Sequence, residues 1–411
     1  MSAQLDELTP PNLTSRHPEL GTGPVPTDIY YKPEIFEREL EAIFKRTWTW
    51  VGRVEQVKDP GQFFIREIRP FGFSVIICRD DNGELQAFYN TCRHRGHPVE
   101  LRESGYTKRF TCAFHAWTYG LKGELRGVPD EAGFPNLCKP ALGLRKLPIA
   151  VWEGFIFVYP NDEPEQSLTE FMGEQGADLV GYPFDQLRET FSFAAEIKAN
   201  WKCIVDAFGE TYHLPSLHRR SVAPTIAGPK NPNCRVIDVR LKGPHRTISA
   251  GSNPDFQPSH AQGLAYANAP GAAITSGQAD GAFEFPKGLN QTRHKLWSID
   301  VAHFFPTFLM SMGTGMYFSH QIWPLAANRS RYEVRAFLKP AQTAGQRFAQ
   351  EHALVELRDT LLEDTSTLER TQGALDAEVI REFVFHDHEL AVRHQYHTVM
   401  KWLDDYQASC S

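Results

Sequence analysis

Residues 89–98 read Tyr89-Asn-Thr-Cys92-Arg-His94-Arg-Gly-His-Pro98, and seventeen residues beyond His94 the chain continues Cys112-Ala-Phe-His115-Ala-Trp117. The two pieces share one pattern, a cysteine followed closely by a histidine on a short loop between strand-like runs. Thiolates suit sulfide-bridged ferric iron, and neutral imidazoles in place of two thiolates remove negative charge and raise the potential. Two such loops on a β scaffold can clamp a [2Fe–2S] cluster through Cys92, His94, Cys112 and His115. A zinc site is the competing reading, but zinc fingers usually pair Cys with Cys and His with His. The alternation in both halves favours the cluster. His97 lies in the same loop outside the pattern and takes a surface or supporting position.

Around this segment, residues 50–160 consist of short β-rich runs such as QFFIREI, FSVIICR, LQAFYN and GFIFVYP, separated by Asp, Asn, Gly and Pro. They predict a small all-β domain. Residues 1–30 are polar and Pro-rich and read as an extended arm. Residues 33–50 place Ile35, Phe36, Leu40, Ile43, Phe44 and Trp48 at helical spacing behind Pro33. Downstream, FSFAAEIKANW predicts a strand leading into a helix at 201–212. Residues 251–292 are rich in Gly, Ala, Pro and Ser and form a candidate lid. Strand-like alternation resumes in VAHFFPTFLMSMG, MYFSHQIWPL and RYEVRAFLKP, and helical patterns follow over 345–375 and 377–406.

A second constellation lies at 200–218, Asn-Trp-Lys-Cys-Ile-Val-Asp206-Ala-Phe-Gly-Glu210-Thr-Tyr212-His213-Leu-Pro-Ser-Leu-His218. Pro215, between the two histidines, is expected to break the helix and let both imidazoles converge. Two His and one carboxylate on one face are the ligand set of non-haem Fe(II) oxygenases and leave positions open. Taken alone, two histidines five apart fit a plain structural pair better. Glu210 sits close to one helical turn before His213. Asp206 is either a polar supporting group or a helix-surface acid.

The 411 residues are 41% apolar, with a formal net charge of −7. The length allows two or three domains. A basic face for nucleic acid or an anionic membrane is absent. No basic-then-apolar start and no long apolar run occurs, so the expected location is cytoplasmic. Seven cysteines, odd in number and sparse, argue against a disulfide framework.

The first segment closely resembles the Rieske motif C-x-H-x17-C-x2-H, with Arg95-Gly96 after the first pair and Trp117 and Gly123 after the second. Residues 200–218 resemble the mononuclear-iron motif of Rieske non-haem iron ring-hydroxylating oxygenases, N-W-K…(D/E)-x-Y-H-x4-H, through Trp201, Lys202, Tyr212 and both histidines. Leu362-Glu363-Asp364-Thr-Ser-Thr-Leu-Glu369-Arg-Thr-Gln372 resembles the E-D-x4-E-x2-Q segment whose Asp binds iron. The resemblance to the α (catalytic) subunit implies a mononuclear Fe(II) held by His213, His218 and Asp364. It implies that Glu210 bridges this site to the cluster histidine of a neighbouring subunit, with Asp206 as a further polar group.

The implied fold is α+β: a small all-β Rieske domain at 45–162, inserted in a helix-grip (START-like) catalytic domain with a curved antiparallel sheet, built from 1–44 and 163–411. The implied partners are a ferredoxin or flavin reductase passing electrons from NAD(P)H, O2, a small hydrophobic substrate, and further copies in a homotrimer that can include a β subunit. The implied reaction is mono- or cis-dihydroxylation of an aromatic or hydrophobic substrate. Phe208, Leu214, Leu217, His303, Phe305, Leu309, Leu357 and Leu361 are the expected pocket residues. Most aromatic dioxygenases have Asp where this chain has Glu210. Glu occurs in the branch with quaternary-ammonium demethylases, so oxidative demethylation of an N-methyl compound is the second reading. Thr211 departs from that branch, where Cys often precedes the Tyr-His step. A non-enzymatic Rieske electron carrier is the third, and the second constellation weighs against it.

Overall fold

The computed structural model describes residues 12–268 and 284–410. The chain divides into two compact units, one spanning Phe44–Phe171 and one made of the segment up to Ile43 together with Met172 onward.

The second of these units is built on a seven-stranded antiparallel sheet. Its strands are β1 (Arg188–Ile197), β2 (Asp238–Lys242), β3 (His245–Gly251), β4 (Trp297–Phe304), β5 (Phe308–Met312), β6 (Met316–Ala326) and β7 (Arg329–Leu338), in the order β1-β7-β6-β5-β4-β3-β2. Six strands follow one another as a meander, and β1 adds beside β7. All five residues of β5 and the first nine of β6 are buried. Both faces of the sheet centre are therefore covered, which hides the period-2 signal that the sequence alone led us to expect there. The register sets one row across the sheet: Arg246, His303, Leu309, His320, Val334 and Phe193 are successive cross-strand partners and share a face. Four of the helices are used below: α1 (Pro33–Glu39), α2 (Trp201–Ala207), α3 (Ala344–Asp376) and α4 (Leu390–Cys410). Phe208, at the end of α2, lies 4.6 Å from the His320 ring and 6.0 Å from Tyr332, which places α2 over this face. The α+β class with an antiparallel sheet is thus as expected.

Several element boundaries differ from the sequence reading. The helix expected over 33–50 ends in a π-turn at Leu40–Phe44, because Thr49–Arg53 is drawn into a strand. The helix expected over 201–212 stops at Ala207. Pro215 stands in the first turn of a new single-turn helix, Leu214–Leu217, so it starts a helix rather than breaking one. Over 377–406 the helix begins only at Leu390. Glu378 takes a left-handed φ of 52°, and Glu382–Phe383 pairs with Val25–Pro26 instead. Residues 12–30 are not an extended arm. They form three short 3-10 turns, and Leu13 and Leu20 pack against Val236, Val239 and Ile248. Of the expected lid, His260–Asn268 is helical, and residues 269–283 lie outside the described residues.

The sequence N-W-K at 200–202 acquires a structural meaning here. The Asn200 side chain caps α2 by accepting from the Lys202 amide at 2.9 Å. Trp201 Nε1 donates to Glu39 at 2.8 Å, and Lys202 Nζ pairs with the same carboxylate at 2.5 Å, with both charged side chains fully buried. The N-terminal segment is thus locked to α2. From α3, Glu369 accepts from the Lys198 amide and Gln372 from the Asn200 amide.

The Phe44–Phe171 unit consists of three small antiparallel sheets of three, four and three strands. Its core includes Phe63, Ile76, Phe88, Phe110, Trp117, Tyr119 and Leu144, with Cys92 and Cys112 inside it. The Phe44–Phe171 unit comprises the range 45–162, Phe44 before it and nine further residues at its end.

Candidate metal centres

In the β unit, the loop at Cys92 follows the strand Leu85–Tyr89, and the loop at Cys112 joins Phe110–Thr111 to Thr118–Tyr119. Both are tied alike. The Cys92 amide donates to His97 O, and the Gly96 amide to Cys92 O. The Cys112 amide donates to Trp117 O, and the Ala116 amide to Cys112 O, each at 2.9 Å. The fifth residue of each loop has positive φ, 80° at Gly96 and 54° at Ala116. Gly96 takes this without penalty, whereas Ala116 is held in it by its surroundings.

The donor set fits a cluster. Cys92 and Cys112 are buried, unpaired thiols, and the His94 Nδ1 is buried with no hydrogen-bond partner. The His94 ring stacks on Trp117 at 4.9 Å and meets the His115 ring edge-on at 4.6 Å. Burial pushes the Cys92 thiol up, and the Tyr119 hydroxyl, 3.3 Å from Cys92 Sγ, works against it. A hydrogen bond to a ligating sulfur favours the more negative, reduced cluster. Tyr119→Phe should therefore lower the midpoint potential. Loss of about 1 kcal/mol of differential stabilisation corresponds to about 40 mV for one electron, readable in a redox titration followed by electron paramagnetic resonance. Tyr119 was not singled out from the sequence, since nothing local marks its reach back to Cys92. His97 Nδ1 lies 3.9 Å from Cys112 Sγ and donates to its neighbour Pro98 O.

In the other unit, His213, His218 and Asp364 are the one group of metal-ligating side chains among the described residues whose donor atoms all lie within 4.8 Å of one another. His213 caps the turn Leu214–Leu217, His218 closes it, and Asp364 projects from the middle of α3. His213 Nδ1 donates to Glu210 Oε1, and Glu210 Oε2 is itself fixed by the amides of Tyr212 and His213. His218 Nδ1 donates to Glu363 Oε2 at 2.7 Å, and the Ser221 hydroxyl donates to the same oxygen at 2.6 Å. With both Nδ1 atoms spent as donors, the Nε2 lone pairs face Asp364 Oδ1 at 3.6 Å and 3.0 Å. Acceptors facing one another at that range repel unless a proton or a metal cation lies between them, and, against the lowering effect of burial, the same carboxylates, Asp364 and Glu363, raise the His218 pKa. The three side chains therefore fit a metal ion.

Glu363 is the supporting residue that the sequence did not single out. It stands beside Asp364, but its bond reaches back 145 residues. Carboxylates that orient metal-binding imidazoles are typically worth 10–100-fold in affinity or activity. Glu363→Ala should weaken Fe(II) binding by about that factor, measured by metal titration against a competing chelator.

A cavity of about 340 Å³ opens beside the triad, lined by His213, Asp364, Glu210, Asp206, Tyr30, Cys203, Leu217, Leu368, Thr371, Phe383, Phe385, Glu389 and Val392 among others. Of the eight expected pocket residues, Leu217 lines it. Phe208, His303 and Leu309 lie at the helix-covered sheet face instead. Leu214 packs with Val222 and Ile226, Phe305 against Trp402, and Leu357 and Leu361 are buried along α3. These apolar positions serve packing rather than this cavity. Asp206 accepts from the Tyr30 hydroxyl at 2.7 Å, and burial raises its carboxyl to about 7. His320, pushed down to about 3 by burial, is neutral.

Residues 47–147 match the model of the Rieske [2Fe-2S] domain, and residues 184–405 match that of the ring hydroxylating alpha subunit (catalytic domain). Choline monooxygenase of Beta vulgaris is 32% identical over 199 residues, covering 47% of this chain and 44% of that protein. The large oxygenase component of the naphthalene 1,2-dioxygenase system of Pseudomonas aeruginosa is 32% identical over 210 residues, again 47% and 44%. The chain thus spans under half the length of these curated relatives. Among solved structures, the quaternary ammonium Rieske monooxygenase CntA superposes with a TM-score of 0.74 at 18% identity, covering 96% of this chain and 99% of that one. Naphthalene 1,2-dioxygenase from Rhodococcus sp. does so with 0.73 at 20%, covering 98% of both. These two likenesses show the fold. The cofactors that the matched domains imply are a [2Fe–2S] cluster and a mononuclear iron, and the chain belongs to the family of Rieske ring-hydroxylating oxygenase alpha subunits.

Proposed function

We propose that this chain is the terminal component of a Rieske oxygenase, acting on a small hydrophobic, in the first instance aromatic, substrate by mono- or cis-dihydroxylation. The observation that carries the reading is the coexistence in one chain of a cluster donor set and a separate His213–His218–Asp364 triad beside a cavity. When bound, the two iron groups supply the one-electron chemistry that dioxygen activation requires. The protein's own part is positional. Glu210 and Glu363 hold both imidazoles with Nε2 forward. Leu217, Leu368, Phe383, Phe385 and Val392 give the cavity an apolar wall that excludes water.

Electron supply falls to a ferredoxin or flavin reductase drawing on NAD(P)H, and the working assembly is a cytoplasmic head-to-tail trimer. In support, each unit exposes an aromatic side chain beside its centre: Phe114, 51% exposed, next to His115, and Tyr212, 50% exposed, between Glu210 and His213. No helix among the described residues is long and apolar enough to cross a membrane.

A second reading, oxidative demethylation of an N-methyl or quaternary-ammonium compound, is favoured by the lining itself. Asp206, Glu210, Glu389 and Asp364 supply carboxyl groups, Tyr30, Phe383 and Phe385 supply aromatic faces, and no lysine or arginine lines the cavity among the described residues. Acids and aromatic faces together suit a quaternary cation. Turnover with a reconstituted reductase, NAD(P)H and parallel panels of arenes and N-methyl ammonium compounds separates the readings. Phenols or cis-diols support the first and formaldehyde the second. Electron transfer to the cluster without a product from either panel contradicts both.

A further inference from the structure

Asp206 on the cavity wall belongs to a group of buried polar side chains whose unpartnered atoms the readings above leave unused. Asp206 borders the cavity, but its Oδ1 atom is shut off from solvent and has no hydrogen-bond partner. Arg246 on β3 is within electrostatic reach of Asp206, of His303 on β4 and of His394 on α4, and Arg246, His303 and His394 are exposed by only 2%, 3% and 8%. Arg246 and His303 are direct cross-strand partners. Arg246 Nη2 donates to Gln395, the neighbour of His394, while its Nη1 has no partner. His303 Nε2 donates to Pro306 O at 2.8 Å, and His394 Nε2 to Gly243 O at 3.1 Å. A carbonyl only accepts, so in both rings Nδ1 carries the lone pair, and both Nδ1 atoms are buried without a partner.

We propose that the space bounded by Asp206, Arg246, His303 and His394 holds ordered water and forms a proton relay ending at Asp206 on the wall of the triad's cavity. Among these four residues three buried acceptors, Asp206 Oδ1 and the two Nδ1 atoms, are matched by a single unpartnered donor group, Arg246 Nη1. Each buried polar group left without a partner costs about 1–3 kcal/mol. Water, which brings two donors per molecule, meets that imbalance, and buried waters typically make about three hydrogen bonds to such groups. The charges agree. Burial keeps His303 and His394 neutral, and Arg246, lowered by burial to about 9, stays a cation near neutral pH. Asp206 is faced by Tyr30 from the N-terminal segment, Lys202 and Cys203 on α2, Arg246 on β3, and Glu389 just before α4. Burial outweighs the three attractive partners Tyr30, Arg246 and Lys202, so this carboxyl exchanges a proton near neutrality.

The relay rests on the proposed oxygenase reading, which creates the need for it. Hydroxylation, RH + O2 + 2e− + 2H+ → ROH + H2O, and cis-dihydroxylation, R + O2 + 2e− + 2H+ → R(OH)2, each consume two protons in the cavity. Asp206, replenished through the water, is the group in place to supply them.

A high-resolution crystal structure of the full holoenzyme should show at least one water bonded to two or more of the four unpartnered atoms. A map in which those atoms bond only to protein overturns the proposal. Asp206→Asn should slow product formation by about 10²-fold and abolish the solvent deuterium effect. It should leave cluster reduction unchanged, and Asp206→Glu should recover to within about tenfold. An Asn variant with unaltered turnover and isotope effect sinks the idea. If the protein oxygenates nothing at all, the functional reading fails separately. The ordered water, and an infrared carboxyl band present in the wild type and missing in Asp206→Asn, then decide the relay without reference to turnover.

Discussion

Asp364→Ala is expected to reduce turnover by on the order of 10³-fold or more while the visible spectrum of the cluster is unchanged. Asp364 is the one anion in a triad otherwise made of two imidazoles, and its Oδ1 is the atom both Nε2 lone pairs face. Removing it leaves a divalent cation with two neutral ligands and no charge compensation, whereas Glu210 and Glu363 are committed to Nδ1 of the histidines. Iron should fall from about three to about two per chain, since the cluster ligands belong to a different unit. His213→Ala should behave alike. A variant that keeps its third iron and its activity shows that Asp364 is no ligand.

The largest stability effect should come from Glu39. Its carboxylate is fully buried and serves two partners, Lys202 Nζ and Trp201 Nε1. Burial lowers the Lys202 pKa, and Glu39 opposes that shift by holding the ammonium charged. Glu39→Ala strands a buried cation and an indole N–H together, and breaking a buried pair from one side typically costs about 3–5 kcal/mol. Replacing both partners with apolar residues of similar volume, Glu39→Leu with Lys202→Met, removes the charge problem altogether and is often neutral. Thermal denaturation should therefore show Glu39→Ala and Lys202→Met each well below the wild type, and the Glu39→Leu, Lys202→Met double variant recovering most of that loss. Equal, additive losses in the two singles and the double refute the account of this pair.

The proposed cluster ligands were legible because each loop is local, closing on itself within five residues, so its pattern lies in the spacing. The triad was half local. His213 and His218 belong to one turn, while Asp364 came only through the resemblance of its helix segment and is brought in by tertiary packing. What supports these ligands was invisible for the same reason: Glu363 acts across 145 residues, and Tyr119 across 27. The helix ends were misjudged where tertiary pairing overrode periodicity, as when Glu382–Phe383 joined Val25–Pro26. Of the expected pocket residues only Leu217 lines the cavity beside the triad. In a sheet buried on both faces, apolar spacing marks core on either side, and Phe208 or Leu309 cannot be told from a cavity wall by pattern.

The central claim, that electrons held by the cluster are spent on dioxygen at the second site, is tested most directly by a single turnover. The protein is reduced anaerobically, freed of excess reductant, and exposed to ¹⁸O2 with a substrate identified by the panels above. The account predicts ¹⁸O in the product, an oxidised cluster, and neither in Asp364→Ala within the same interval. Oxygen from water in the product, or a cluster that reoxidises with no labelled product, contradicts it.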